Sequence, residues 1–105
     1  MSRITIKTEI PPGEKSIIEQ SPIPKDFQVT HLVFNSGAIP GIYLSGLWQN
    51  GKRIIPAIFG IPVLTLTNRI RNMVLKANTA LKLEFSNKSK NSVVLDLEIH
   101  GHLRG

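Results

Sequence analysis

The segment from Leu81 to Leu103 alternates apolar and polar residues almost without interruption. Leu81, Leu83 and Phe85 are followed by Val93, Leu95, Leu97 and Ile99, with Lys82, Glu84, Asp96 and Glu98 between them. Successive side chains of a β-strand point to opposite faces, so a period of two predicts strands with one dry and one wet side. The same period recurs from the N-terminus onward. The i, i+3, i+4 spacing of an amphipathic helix is never sustained over a helix-length window. The chain is therefore expected to be all-β.

Turn residues divide this pattern into short strands. Residues 3–9 place Ile4 and Ile6 on one side and Arg3, Thr5 and Lys7 on the other, and Pro11-Pro12-Gly13 ends the run. A second strand, 15–20, precedes Pro22 and Pro24, which cannot donate ladder hydrogen bonds and belong in a loop or at a sheet edge. A third, 27–35, carries apolar residues on both sides and is expected to be covered on both faces. A fourth spans 41–48. Asn50-Gly51 then supplies the positive φ values of a two-residue hairpin. A fifth, 53–59, contains Pro56, which argues for an edge or a bulge. The β-branched run 63–67 reads as a strand, and 71–76 as a strand or short helical turn. Residues 81–85 and 93–99 close the chain.

About eight strands separated by Gly, Pro and Asn predict one two-sheet β-sandwich domain covering residues 1–105. A jelly roll is the first expectation and an immunoglobulin-like Greek key the alternative. In a jelly roll the last two strands lie in different sheets, so residues 87–92 would arch across the core.

Composition narrows the function classes. No cysteine is present, which excludes disulfides and thiolate metal sites. With 41% hydrophobic and 19% charged residues the chain is too apolar for intrinsic disorder. No window approaches the ~18 consecutive apolar residues of a membrane span. The first residues lack the apolar stretch of a secretory signal, so cytoplasmic synthesis is expected. The net charge of +6 suits an acidic partner, but basic residues are scattered from Arg3 to Arg104, which describes a solvated basic face better than a dense binding run.

Residues of the types that carry chemistry have simpler explanations. His100 and His102 share a strand face with Asp96 and Glu98, but a structural zinc site needs four placed ligands and His31 is distant in sequence. Ser36, Ser45, Ser86, Ser89 and Ser92 lack a nucleophile elbow. Glu84, Asp96 and Glu98 fit the solvent side of the final strands. Neither a catalytic role nor a cofactor is expected. For a nucleic-acid-binding surface, Tyr43, Trp48 and Phe59 would be the stacking platforms and Lys52, Arg53, Arg69 and Arg71 the phosphate contacts. Core packing of the rings and solvation of the charges account for the same residues. Trp48 and Tyr43 would also suit a sugar ring.

Residues 72–103, NMVLKANTALKLEFSNKSKNSVVLDLEIHGHL, resemble the C-terminal pattern of small β-sandwich structural proteins of bacteriophage virions. The likeness lies in Asn78-Thr79, the Leu81 to Phe85 strand, the Asn87 to Ser89 turn and the closing Leu95 to Gly101 strand, about a third of the chain. It implies a virion component made in the host cytoplasm: a capsid vertex, auxiliary or decoration protein that assembles with copies of itself and with a major shell protein. On this view Ile4, Ile6, Leu32, Phe34, Tyr43 and Trp48 are the candidate partner interface. Residues 1–12 are either an arm adding a strand to a neighbour or an edge strand of their own domain. A basic nucleic-acid-binding small β-barrel is the alternative function.

Overall fold

The computed structural model describes residues 2–37 and 39–104, with the backbone alone for residues 55–59. In chain order the elements are β1 (Ser2–Ile10), β2 (Lys15–Gln20), β3 (Asp26–Phe34), β4 (Ile42–Gln49), β5 (Lys52–Pro62), α1 (Val63–Ile70), β6 (Val74–Leu75), β7 (Leu81–Asn87) and β8 (Val93–Arg104). The strands form two four-stranded antiparallel sheets, one in the order β1-β8-β3-β6 and the other β2-β7-β4-β5. Each consecutive pair of strands lies in different sheets except β4 and β5. Those two are joined at Asn50-Gly51, whose φ values of 51° and 81° make the tight turn that lets Gln49 face Lys52.

The inward residues of both sheets meet in one core. Ile4, Ile6 and Ile10 enter it from β1, Leu44 and Leu47 from β4, Leu83 and Phe85 from β7, and Leu95, Leu97 and Ile99 from β8. β1 pairs along its whole length with β8 of the same chain, from Ser2 opposite Gly101 to Ile10 opposite Val93. In this chain residues 2–10 are an edge strand of the first sheet.

Two bulges alter what the alternation implied. In β3 the pairing to β8 shifts between Val29 and His31, leaving Thr30 as the extra residue. Odd positions, Phe27 and Val29, face inward before it. Even positions, Leu32 and Phe34, face inward after it. The strand is thus covered on one side only; its two-sided apolar look is a change of phase. In the second sheet, Leu44 pairs with Ile61 but Gly46 with Pro56, so residues 57–60 of β5 stand opposite Ser45 alone. Pro56, which has no N–H to give, lies on this irregular outer strand.

Residues 63–70 form a helix where a strand was expected. Val63, Leu66 and Ile70 are buried, an i, i+3, i+7 stripe just long enough for two turns. Pro62 is the N-cap, with φ −56° and ψ 136°, so the chain enters the helix from an extended residue. The intervening Leu64 and Thr65 are exposed, and α1 packs against β3, β4 and β5. Of residues 71–76, only Val74 and Leu75 pair as a strand.

At one end of the sandwich the buried Asn87 joins four segments. Its Nδ2 donates to the carbonyl oxygens of Ile10 (2.9 Å) and Asn91 (2.8 Å), and its Oδ1 accepts from the Ser89 amide (2.8 Å). Its backbone exchanges bonds with Gly13 and Glu14. The end of β1, the β1–β2 turn, the end of β7 and the β7–β8 crossing are tied through one residue. Asn87 is 1% exposed, so removing its amide deletes buried hydrogen bonds that water cannot readily replace. Asn87→Ala is expected to destabilise the fold by about 3 kcal/mol, read in urea by Trp48 fluorescence. Asn87→Asp, which turns donors into repelling oxygens, should be at least as costly.

Candidate functional site

The outer faces of the two sheets differ in chemistry. On the sheet containing β4 and β7, Tyr43, Ser45 and Trp48 project outward beside Lys82, Glu84 and Ser86, because β4 pairs with β7 through Tyr43–Ser86, Gly46–Glu84 and Trp48–Lys82. Gly46 makes this face possible. A Cβ there would stand 2.6 Å from Trp48 Cζ3, so the benzo edge of the indole lies over the bare α-carbon.

Cations gather on the two rings. The Arg53 guanidinium lies 5.3 Å and the Lys82 ammonium 5.2 Å from the Trp48 centroid, and the Lys88 ammonium lies 4.6 Å from that of Tyr43. Arg53 Nη2 also donates to the carbonyl of the bulged Ser45 at 2.7 Å. Ser45 Oγ in turn donates to Glu84 at 3.0 Å. A depression of about 400 Å³ opens here, bounded by Lys15, Ser45, Trp48, Arg53, Glu84 and Lys88. Its mixed charges and aromatic wall suit a polar, partly anionic surface or ligand.

The structure regroups the residues marked from sequence. Ile4 and Ile6, 6% and 1% exposed, and Leu32, at 9%, belong to the chain's own core, and Phe34 packs against it. The β3 bulge and the β1–β8 pairing turn these four side chains, marked from sequence as a candidate interface, toward the core. Trp48 and Arg53 come together, and Tyr43 lies further along the same sheet face, beside Lys88. Lys52 is exposed and lines a separate shallow depression with Ile54 and Lys76. Arg69 and Arg71 sit in the last turn of α1 and at its C-cap, and neither borders the aromatic face. The Phe59 side chain lies outside the described residues. Lys82, Lys88 and Glu84 were missed as site residues. The alternation that puts Lys82 and Glu84 on one side of β7 was visible, but the pairing of β7 with β4 was not, and Lys88, just past β7, meets Tyr43 only through that pairing.

The other sheet carries a neutralised network. His31 and His100 stack with centroids 4.8 Å apart, and His100 Nε2 donates to Glu98 Oε1 at 2.7 Å. Asn35 Nδ2 donates to Glu98 Oε2 at 3.0 Å and to Asp96 Oδ1 at 3.2 Å, while Arg3 reaches Glu98 at 3.6 Å. Among the described residues no group of three or more His, Asp or Glu side chains is placed to hold a metal ion. The Asn35 hydrogen bond, then that from His100, with Arg3 nearby, hold the Glu98 carboxyl below its ordinary range against the opposing effect of burial.

Two outcomes follow from this geometry. Gly46→Ala should displace the indole, shift the emission of the chain's single tryptophan to longer wavelength, and cost about 1 kcal/mol. Because the folded-state pKa of Glu98 is depressed, its stabilising contribution is present above the ordinary carboxylate range and fades as pH falls through the lowered value. Carboxyl titration by NMR should find Glu98 protonating below its usual pH, and Asn35→Ala should move the midpoint upward.

No family model, no curated protein and no solved structure matches this chain.

Proposed function

We propose that the chain is a structural subunit of a virion, a jelly roll that works by packing against copies of itself and against a shell protein. The strand order carries this reading. Eight antiparallel strands arranged β1-β8-β3-β6 over β2-β7-β4-β5 support a jelly roll over an immunoglobulin-like key, in which the first two strands would share a sheet. The arched β7–β8 crossing agrees with it. The step from fold to virion rests on the sequence resemblance and on fold-level analogy. Exposed apolar side chains fit a subunit with several contacts: Ile17 at 55% on β2, Leu64 at 62% on α1, and Val94 at 45% and Leu103 at 46% near the two ends of β8.

A second reading has one observation in its favour. Trp48 and Tyr43 share a face with Arg53, Lys82 and Lys88, the pairing of rings and cations that a single-stranded nucleic acid uses. Against it, the cations already lie over the rings and would have to move for a base to stack.

Size-exclusion chromatography with light scattering separates the two. The structural subunit forms a multimer free of nucleic acid as concentration rises, and mass spectrometry of purified particles finds it in stoichiometric amount. A persistent monomer that binds oligonucleotides, with affinity falling steeply as salt is raised, would favour the second reading instead.

A further inference from the structure

The four sheet edges are unequal. Free strand edges invite pairing with another chain, and folded proteins usually blunt them with charges, bulges, proline or brevity. β6 has two residues. β5 is broken by the excursion of residues 57–60 and contains Pro56. β1 carries an outward row of Arg3, Thr5, Lys7 and Glu9, all exposed, with a lysine near its centre. β2 is the least protected of the four: its pairing is unbroken over six residues, and its outward row, Lys15, Ile17 and Glu19, sets an isoleucine that is 55% exposed between two charges of opposite sign.

We propose that β2 pairs antiparallel with β2 of a second copy about a two-fold axis at Ile17, joining two β2-β7-β4-β5 sheets into one. This rests on the structural-subunit reading and names its first contact. Residues that face each other across an antiparallel pair lie on the same side of the sheet. With Ile17 opposite Ile17 of the second copy, Lys15 stands opposite Glu19 of the second copy, and Glu19 opposite its Lys15. Shifting the register by two residues in either direction puts a charge opposite Ile17. The neighbouring strand extends the complementarity. Glu19 is already opposite Lys82, and Lys15 opposite Ser86. Each outer row of the joined sheet thus runs Lys82, Glu19, then Lys15 and Ser86 of the second copy, with the charges alternating in sign. Thr8 Oγ1 lies 2.8 Å from Ser16 Oγ, so β1 of the other layer runs beside β2 at this edge and makes the contact two layers deep. The interface is isologous and closes at two copies, leaving other faces for further assembly.

The absence of cysteine gives a direct test. Ile17→Cys introduces a single thiol on the proposed axis, where facing Cβ atoms are close enough to bridge. Mild oxidation should convert it to a disulfide-linked dimer, while Val94→Cys, exposed on the other sheet, should not cross-link. Lys15→Glu and Glu19→Lys should each weaken the dimer about tenfold by light scattering, since each creates two like-charge contacts. The double exchange should restore it. If the chain multimerises but Ile17→Cys fails to cross-link and the charge variants change nothing, β2 pairing is wrong and the subunit reading stands. If the chain stays monomeric at every concentration, the subunit reading fails and takes this contact with it.

Discussion

The buried side chain of Asn87 holds together a chain that changes sheet at nearly every connection. Crossing between layers exposes backbone groups at the rim, where no ladder partner is available, and each must find another. At one end of β7, the Asn87 amide meets this need for Ile10, Ser89 and Asn91 together, with no buried polar side-chain atom left unpaired among the described residues. At the other end, where Leu81 starts β7 opposite Gln49, the work is divided. Gln49 Oε1 accepts from the Lys76 amide at 2.9 Å, and Asp26 Oδ1 from the Ala77 amide at 2.8 Å. A fully satisfied polar network at each rim fixes which strand follows which, something apolar packing alone specifies weakly.

Where the strands are regular, the sequence alone was enough to assign faces. Along β1, residues 81–85 of β7 and residues 93–101 of β8 burial follows the period of two, and Ile4, Leu83, Phe85 and Leu97 fell where that period placed them. Where a bulge inserts one residue, the same rule misleads. Thr30 has nothing in its chemistry that announces an unpaired position, yet it decides that Leu32 and Phe34 turn toward the core. The helix escaped notice for a related reason. Val63, Thr65 and Thr67 are β-branched, and three buried positions over eight residues are too few to establish a helical period. Gly101 was visible only as the end of a pattern. The fold gives it a reason, since a Cβ there would press on the Gln28 carbonyl and stand 2.6 Å from Phe27 Cε1.

The site was less legible than the fold because it is made by long-range pairing. Trp48 and Lys82 are separated along the chain by the hairpin, β5, α1 and β6, and nothing local to either residue encodes their meeting. The structure also shows why net charge is a poor guide here. On one sheet Arg3, His100, Asn35 and Glu98 form a closed network. On the other, Arg53, Lys82 and Lys88 lie against aromatic faces, a weaker restraint worth about 0.5–1 kcal/mol each at exposed positions.

That weakness connects the bulge, the aromatic face and the β2 edge. The excursion of β5 opposite Ser45 turns its carbonyl toward Arg53, and the same guanidinium then covers Trp48, whose position depends on Gly46. A base stacking on the indole would gain about 1–3 kcal/mol. It would first have to lift two cations, which leaves little net gain. Edge pairing at β2 requires no such displacement: Lys15 and Glu19 are exposed, and Glu19 already lies next to Lys82. The depression bordered by Trp48 reaches Gly13, Glu14 and Lys15 at that edge, so joining two copies would bring its far wall to the interface. On the proposed β2 pairing, the cation-covered face flanks the contact between the two copies.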